Sequence, residues 1–320
     1  MNLSIRPFTH GLHDLGSGGY AWIQPDGGWG WSNAGLIVDG DESLLVDTLF
    51  DLKLTREMLK AMSRAEPIAA HSFNTLVNTH ANGDHCNGNE LVHGAEIISS
   101  VATAAELAEE SPDRLATMMR NAPSLGEAGE FLQRCFGAFD FEGITPTLPT
   151  RTFEGTMNVS VGDKEVRLKQ VGPCHTKGDI LAYVPDDKLI FTGDILFIEG
   201  HPILWVGPIA NWIDACDYML GIDVETVVPG HGPITDKRGV TAVRDYLVYI
   251  RDEANKRYRA GLPVYEAAMD ISLTDYDNWG DAERIVINVA TLYREFGSTE
   301  KTGDLFSLMA KADKARRQST

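Results

Sequence analysis

The stretch that decides the fold is His80-Ala81-Asn82-Gly83-Asp84-His85, which directly follows a predicted strand at residues 73–77. Two histidines and an aspartate this close together can face one point only if the chain leaves the strand and turns sharply, and Gly83 permits such a turn. Converging imidazole and carboxylate groups are typical ligands of zinc, and also of manganese or iron. The segment therefore predicts a metal-binding loop at the end of a strand.

Further candidate ligands follow strand-like runs later in the chain. They are His175 in Pro173-Cys174-His175-Thr176, Asp194 in Thr192-Gly193-Asp194 and His231 in Gly230-His231-Gly232. A single loop histidine is more often a structural residue than a ligand, because histidine has several roles in proteins. The combination of these loops with the first one is what favours a metal centre.

In order and local sequence, these loops resemble the metallo-β-lactamase-fold hydrolase superfamily, whose pattern is His-x-His-x-Asp-His followed by Gly-His, Thr-Gly-Asp and Gly-His loops. The resemblance covers roughly residues 20–232 and includes the strand end Leu45-Val46-Asp47-Thr48. It implies an α/β fold, an αββα sandwich with the metal centre at one edge. Residues 1–235 are predicted to form the catalytic domain, and residues 236–320 a C-terminal helical extension packed on it.

The resemblance also assigns the candidate ligands to two metal positions. The first position takes His80 and His175, the second takes Asp84, His85 and His231, and Asp194 bridges the two. The chain departs from the pattern at Asn82, where the family has a second histidine. Because an amide oxygen is a weak ligand beside imidazole, we expect one tightly bound Zn²⁺ and a weak or absent second ion, with manganese or iron as less favoured alternatives. A second ion held through Asp194 and a water is the other interpretation.

Members that resemble this Asn-containing variant include hydrolytic dehalogenases and nitroaryl ether demethylases, which act on substituted aromatic rings. The resemblance thus implies a zinc-dependent hydrolase in which a metal-bound hydroxide attacks an ester-type or electron-poor aromatic small molecule. Asp84 or Asp194 is expected to orient the attacking water or take its proton, and Asn82 to hydrogen bond the substrate. Asp47 and Asp179 are candidates to support the ligand histidines, or else are ordinary aspartates at a strand end or turn.

Large rings are concentrated in two loop-like segments, one before the first hairpin and one that runs from Asp194 to Trp212. We expect an apolar substrate pocket above the metal. The residues predicted to line it are Trp29, Trp31, Phe197, His201 and Trp205. Packing in the core or at a subunit contact is the alternative for each tryptophan.

Composition excludes several classes of function. The 320 residues include 28 Lys and Arg against 46 Asp and Glu, a formal net charge of −18 that repels nucleic acid. The apolar runs are much shorter than the roughly 20 residues of a membrane span, so no membrane partner is expected. Four scattered cysteines and an N-terminus without a secretory pattern favour a cytoplasmic location.

Two further hypotheses stay open at this point. The loss of a ligand at Asn82 is also compatible with a non-catalytic or partner-dependent subunit of a hetero-oligomeric hydrolase. If the same site bound iron, the chain could instead be a dioxygenase. The late helices, with tyrosines at helical spacing from Tyr246 onward, are expected either to cap the core or to form a contact in a homo- or hetero-oligomer. The motif itself does not choose among ester, thioester, lactam and activated aryl substrates.

Overall fold

Short β-rich runs separated by Asp-Gly and other glycine-containing turns form the first sheet of the computed structural model, which describes residues 2–318. Its seven strands are, in spatial order, β1 (Gly11–Gly16), β2 (Gly19–Ile23), β3 (Ala34–Asp39), β4 (Glu42–Val46), β5 (Thr75–Val77), β6 (Glu96–Ser100) and β7 (Arg151–Phe153). Strands β1 to β4 are antiparallel neighbours, and β4 to β7 run parallel. The parallel strands therefore end at a common edge.

The second sheet has five strands. In spatial order they are β12 (Thr226–Val228), β11 (Leu189–Phe191), β10 (Ile180–Val184), β9 (Lys164–Gln170) and β8 (Thr156–Val161). Strands β11 and β12 are parallel, and the other pairs are antiparallel. The parallel pair brings its strand ends to the same side as the loop that follows β5.

Helices cover both outer faces of the two sheets. Within residues 2–318 they are α1 (Leu52–Ala65), α2 (Gly83–Cys86), α3 (Val101–Glu109), α4 (Pro112–Asn121), α5 (Gly126–Phe136), α6 (Ile209–Gly221), α7 (Lys237–Arg259), α8 (Val264–Asp270), α9 (Ile285–Glu295) and α10 (Leu305–Arg317). No described helix is long and apolar enough to cross a bilayer.

The alternation of side chains in the strands builds the layers. Leu44 and Val46 of β4 lie in the core between the two sheets, whereas Leu45 packs outward with Met58 and Met62 of α1. On the other side, the indole of Trp212 in α6 donates to the carbonyl of Ile195 at 2.8 Å. The prediction of an αββα sandwich with additional C-terminal helices is confirmed.

The structure also corrects details of the sequence interpretation. No sequence pattern predicts strands β6 and β7 or helix α2. Trp212, which was expected in a loop, lies in helix α6, which begins at Ile209. Helix α7 packs against α6, so the late helices cover the second sheet. All four cysteines are buried and unpaired. The division of the chain at residue 235 stays a prediction.

Candidate metal centre

Strand ends deliver the predicted ligands to one edge of the sandwich. His80 follows β5, Asp194 follows β11 and His231 follows β12, while His175 lies in the loop that precedes β10. Close approach of these loops requires glycine at Gly230, where a Cβ would lie 2.1 Å from Oδ1 of Asp194. The local sequence around the site therefore reflects how tightly the loops converge.

Asp194 lies at the centre of the site. Its carboxylate oxygens lie 3.1 Å from Nε2 of His85, 3.2 Å from Nε2 of His175, 3.5 Å from Nε2 of His231 and 3.6 Å from Nε2 of His80. All five side chains are buried. The structure thus brings together the four predicted imidazoles around the predicted bridging carboxylate.

Asp84 completes a second group of possible ligands. Its Oδ2 lies 3.2 Å from Nε2 of His231 and 4.0 Å from Nε2 of His85. Two sets have ligand atoms within 4.8 Å of one another, namely His80, His85 and Asp194, and Asp84, His85 and His231. The second set is the one that the sequence assigns to the tight position.

The outer nitrogen of each imidazole faces a hydrogen-bond acceptor. The Nδ1 atoms lie 2.9 Å from Oδ2 of Asp47 for His85, 3.0 Å from Oγ1 of Thr79 for His80, 2.7 Å from the carbonyl of Ile203 for His175 and 3.1 Å from the carbonyl of Gly27 for His231. The Thr79 hydroxyl in turn donates to Oδ2 of Asp47 at 2.7 Å, which leaves Oγ1 to accept from His80. Each Nδ1 therefore carries the proton, and in the neutral ring the Nε2 lone pair points to the centre.

This arrangement fits a divalent cation. Nε2 of His80, Nε2 of His85 and Oδ1 of Asp194 are buried and have no hydrogen-bond partner. Lone pairs of imidazoles that face carboxylate oxygens repel one another unless a cation or protons lie between them. Anchored Nδ1 atoms with free Nε2 atoms are the arrangement in which histidines bind metal.

The pKa shifts of the site residues likewise show that the buried carboxylates favour positive charge beside them. Burial alone would lower the pKa of His231, but the carboxylates of Asp194 and Asp84 raise it to about 9. The pKa of His85 is likewise raised against burial, by Asp194 and then Asp47. Burial opposes ionisation of Asp194, yet the imidazoles of His231 and His85 hold its pKa well below its usual range. Without a metal, protons on these imidazoles therefore compensate the carboxylates.

The two supporting aspartates act differently. Asp47 accepts directly from His85 and, through Thr79, supports His80, and it adopts a φ of 63°, a strained conformation for this residue type. Asp179 accepts instead from the backbone N–H of Thr176 at 3.0 Å and from its hydroxyl at 2.7 Å. Asp179 thus shapes the loop that carries His175 and does not contact a ligand nitrogen.

Asn82 contacts a candidate ligand of the first position. Oδ1 of its amide lies 2.7 Å from Nε2 of His175. An amide oxygen only accepts hydrogen bonds, so in this contact Nε2 of His175 faces an acceptor. The amide of Asn82 therefore engages the His175 nitrogen that a first ion would require.

A cavity of about 250 Å³ opens above this centre. Trp29, Phe197 and Trp205 line it, together with Asn82 and Asp84. Trp31 does not line the cavity and packs on Phe139, with ring centroids 4.7 Å apart. The placement of Trp31 at the substrate pocket is therefore corrected.

His201 is also absent from the cavity wall. Its side chain is buried, Nδ1 lies 3.1 Å from the hydroxyl of Tyr246, and its ring contacts Tyr276 and Trp279. Burial, and then the charge of Arg284, lower its pKa to about 3. The structure moves His201 from the expected substrate pocket to a packing position between the C-terminal segments.

Arg284 lines the cavity and was not found from the sequence. Its guanidinium lies 4.4 Å from the ring centre of Trp29 and 5.1 Å from that of Phe197. Phe197 stacks in turn on His231, with ring centroids 5.0 Å apart and planes within 7°. No sequence signal linked a residue so late in the chain to this site, because the contact depends on how the C-terminal helices dock.

The two sheets form a sandwich, and histidines and aspartates converge at the edge where the strands end. This is the arrangement of an α/β protein with a candidate metal centre. The chain belongs to the metallo-beta-lactamase superfamily, whose family model matches residues 27–231. The resemblance inferred from the loop sequences is thereby confirmed.

Among curated proteins, the chain is similar to the acyl-coenzyme A thioesterase MBLAC2 of Gallus gallus, with 24% identity over 71% of this chain and 82% of that protein. The human MBLAC2 is 25% identical over 62% of this chain and 72% of that protein. The 2,4-dinitroanisole O-demethylase subunit alpha of Nocardioides sp. (strain JS1661) is 25% identical over 61% of this chain. The match spans only 51% of that subunit.

Solved structures show the same fold. The stereoselective inverting sec-alkylsulfatase Pisa1 from Pseudomonas sp. has a TM-score of 0.67 at 15% identity, covering 91% of this chain and 51% of that one. A metallo-beta-lactamase from Pontibacter korlensis has a TM-score of 0.57 at 18% identity, covering 75% of this chain and 99% of that one.

Proposed function

We propose that this chain is a zinc-dependent hydrolase of ester-type or substituted aromatic small molecules, with one tightly held ion at Asp84, His85 and His231. The observation that supports it most is the set of imidazoles with anchored Nδ1 atoms, two of which have buried, unpartnered Nε2 atoms beside Asp194. The similarity to a thioesterase and to a nitroaryl ether demethylase subunit supports hydrolytic chemistry on small molecules.

A divalent cation at this site would lower the pKa of water from about 15.7 toward 7 and so supply hydroxide near neutral pH. Asp194 and Asp84 are ionised and face the centre, so either carboxylate can orient that water and take its proton. The amide of Asn82 lies in the cavity wall, where it can donate to a substrate oxygen. The apolar rings above the centre exclude bulk water from the reacting groups.

Asn82 supports a predominantly mononuclear site. Its Oδ1 lies 2.7 Å from Nε2 of His175, a ligand of the first position, whereas the ligand atoms of Asp84, His85 and His231 lie within 4.8 Å of one another. A partner-dependent enzyme is the second candidate, favoured by the similarity to a protein named as a subunit alpha.

The test measures metal content by plasma mass spectrometry and hydrolysis of a panel of esters, thioesters and nitroaryl ethers. We expect about one zinc per chain, and a loss of most metal and at least about 100-fold of the hydrolytic rate in His85→Ala and His231→Ala, because each change removes one of three strong ligands. His93→Ala, a change at an exposed histidine, is the matched control. An unchanged metal content and an unchanged hydrolytic rate in either ligand variant would contradict the assignment of these residues as ligands. Activity that arises only when a related second chain is added would favour the partner-dependent enzyme.

A further inference from the structure

We propose that the cavity takes an uncharged substrate with an apolar, aromatic-sized arm and discriminates against substrates that carry phosphate groups, coenzyme A thioesters included. The inference rests on the proposed hydrolase function and deepens it by naming the substrate class. It differs from the substrate named for the MBLAC2 relatives.

The cavity wall is built for an apolar arm. Five aromatic side chains contribute to it, namely Trp29, Phe50, Phe136, Phe197 and Trp205. Their rings pack edge to face or tilted on one another, as for Trp29 and Phe136 at 5.8 Å and Phe50 and Phe136 at 5.8 Å between centroids. Such rings bind apolar and aromatic groups through their faces and edges, and they offer nothing to a phosphate.

The wall offers no available cation. Arg284 is the one Lys or Arg among the described residues that line the cavity. Its guanidinium already donates to the carbonyl of His201 at 2.9 Å and pairs with Asp281 at 2.9 Å, and its side chain is only 2% exposed. Its Nε atom has no hydrogen-bond partner but is buried, and its faces are covered by Trp29 and Phe197. A phosphate in the aromatic part of the cavity, away from the metal ligands, would therefore be desolvated without an accessible cation beside it, which is unfavourable.

The rim of the cavity is acidic rather than basic. Glu110, at the end of α3, is exposed and lines the opening, and it is flanked by Glu109 and Asp113, against a single exposed cation, Arg114. The whole chain carries a net charge of −18. A polyanionic carrier thus meets repulsion on approach as well as at the rim.

Two basic residues elsewhere on the surface, Lys177 and Arg151, are each paired with a glutamate. Lys177 lies 3.5 Å from Glu106, and Arg151 lies 3.1 Å from Glu96. Neither lines the cavity. The cavity volume of about 250 Å³ is also below the roughly 300–1,000 Å³ of most ligand pockets, so the bulk of coenzyme A would have to lie on the acidic rim.

The experiment compares two thioesters that share one acyl group. Zinc-loaded protein is assayed with hexanoyl-N-acetylcysteamine, which is uncharged, and with hexanoyl-coenzyme A, and thiol release is measured. We expect kcat/KM to be at least about tenfold higher for the uncharged thioester, and the coenzyme A rate to rise with salt because screening weakens the repulsion. Equal or higher kcat/KM for hexanoyl-coenzyme A would overturn the inference and leave the hydrolase function intact.

A charge reversal at the rim of the cavity tests whether the acidic rim causes the discrimination against coenzyme A thioesters. Glu110→Lys should raise the ratio of kcat/KM for hexanoyl-coenzyme A to kcat/KM for the uncharged thioester several-fold, because only the coenzyme A thioester carries phosphates that the rim repels. Asp41→Lys makes the same change of charge at an exposed position in the β3–β4 hairpin, far along the strand from Asp47, and should change neither rate. An equal effect of both variants on hexanoyl-coenzyme A attributes the discrimination to net charge rather than to the rim and contradicts the proposed site.

Binding measurements test the proposed substrate class independently of the hydrolytic reaction. The non-hydrolysable thioethers S-hexyl-N-acetylcysteamine and S-hexyl-coenzyme A are titrated while tryptophan fluorescence is followed, since Trp29 and Trp205 line the cavity. Preferential binding of the uncharged thioether without turnover of any substrate would retain the substrate class and refute the hydrolase. Preferential binding of S-hexyl-coenzyme A would refute the substrate class.

Discussion

At the scale of single residues, we predict that Asn82 limits the number of ions that the site holds. Asn82→His should raise the zinc content from about one to about two per chain, because an imidazole there would add a strong ligand beside His80 and His175. Zinc titration against a chelator should show a second site at least about tenfold tighter than in the natural chain. Asn87→His also adds a histidine to the cavity wall, but Asn87 donates to the carbonyl of Phe50, so this control should leave the stoichiometry unchanged. Unaltered stoichiometry in Asn82→His would mean that Asn82 does not limit loading.

We predict that Arg284 is a positioning residue for His231, one of the proposed metal ligands. Its cation lies on Phe197, and Phe197 stacks on the imidazole. Arg284→Met should weaken zinc binding about three- to tenfold, since the loss of a buried cation–π contact of about 2 kcal/mol lets Phe197 and His231 reorient. Arg259→Met, on the exposed surface of α7, is the matched control.

Chelator competition and chemical unfolding, measured together, distinguish positioning by Arg284 from simple packing. Arg284→Lys keeps the charge and should recover part of the zinc affinity. A lower free energy of unfolding with an unchanged zinc Kd would reduce Arg284 to a packing role.

At the scale of elements, His201 couples the segment after Asp194 to the C-terminal helices. Its pKa is about 3 in the folded protein against 6.5 for the free side chain, so the unfolded chain binds a proton that the folded chain does not. The free energy of unfolding should therefore fall as the pH drops from about 6 to 4, with His201 contributing about 1.4 kcal/mol per pH unit.

Denaturant unfolding of the natural chain and of His201→Gln across this pH range isolates that contribution. The variant should lose the corresponding part of the slope, whereas His93→Gln, at an exposed position, should keep it. Parallel slopes for all three proteins would show that His201 takes up its proton in the folded state as well.

Elements with a strong sequence pattern were predictable, and those defined by their neighbours were not. Residues 52–64 carry an apolar face at helical spacing that packs as α1, and the Ser111-Pro112 pair, a helix-breaking sequence, separates α3 from α4. Strand β7 has only three residues and exists because it pairs with β6, which no local pattern reveals. The strand-end loops were found because their histidines and aspartates mark them directly.

At the scale of the whole molecule, the candidate site combines residues from most of the chain. Trp29, Asp84, Asp194 and His231 come from the part that the family pattern describes, but Arg284 and Glu283 come from beyond it. Glu283 accepts from the indole of Trp29 at 2.7 Å and so fixes one cavity wall to the C-terminal segments. The ligands were therefore predictable from sequence, whereas the cavity wall depends on the docking of helices that carry no motif.

Metal binding should stabilise the whole fold, and more so at higher pH. In the metal-free protein the pKa of His231 is about 9 against 6.5 for the free side chain, so its protonation contributes fully to stability below pH 6.5 and the contribution is lost as the pH rises to 9. Zinc requires the unprotonated imidazole, so binding displaces this proton and strengthens with pH over the same window. The difference in Tm between zinc-loaded and metal-free protein should thus widen by roughly 2 °C per pH unit from pH 6.5 to 8, as the contribution of about 1.4 kcal/mol per unit from His231 implies for a chain of 320 residues.

Scanning calorimetry of both forms at several pH values checks this. His231→Ala should show a smaller difference in Tm that depends less on pH, because one displaced proton and one ligand are gone while His85 still exchanges its proton for the metal. Titration calorimetry in buffers of different ionisation enthalpy should show proton release when zinc binds to the natural chain at pH 7. A Tm difference that stays constant from pH 6.5 to 8 would mean that zinc does not replace the proton on His231, and would move the tight position away from Asp84, His85 and His231.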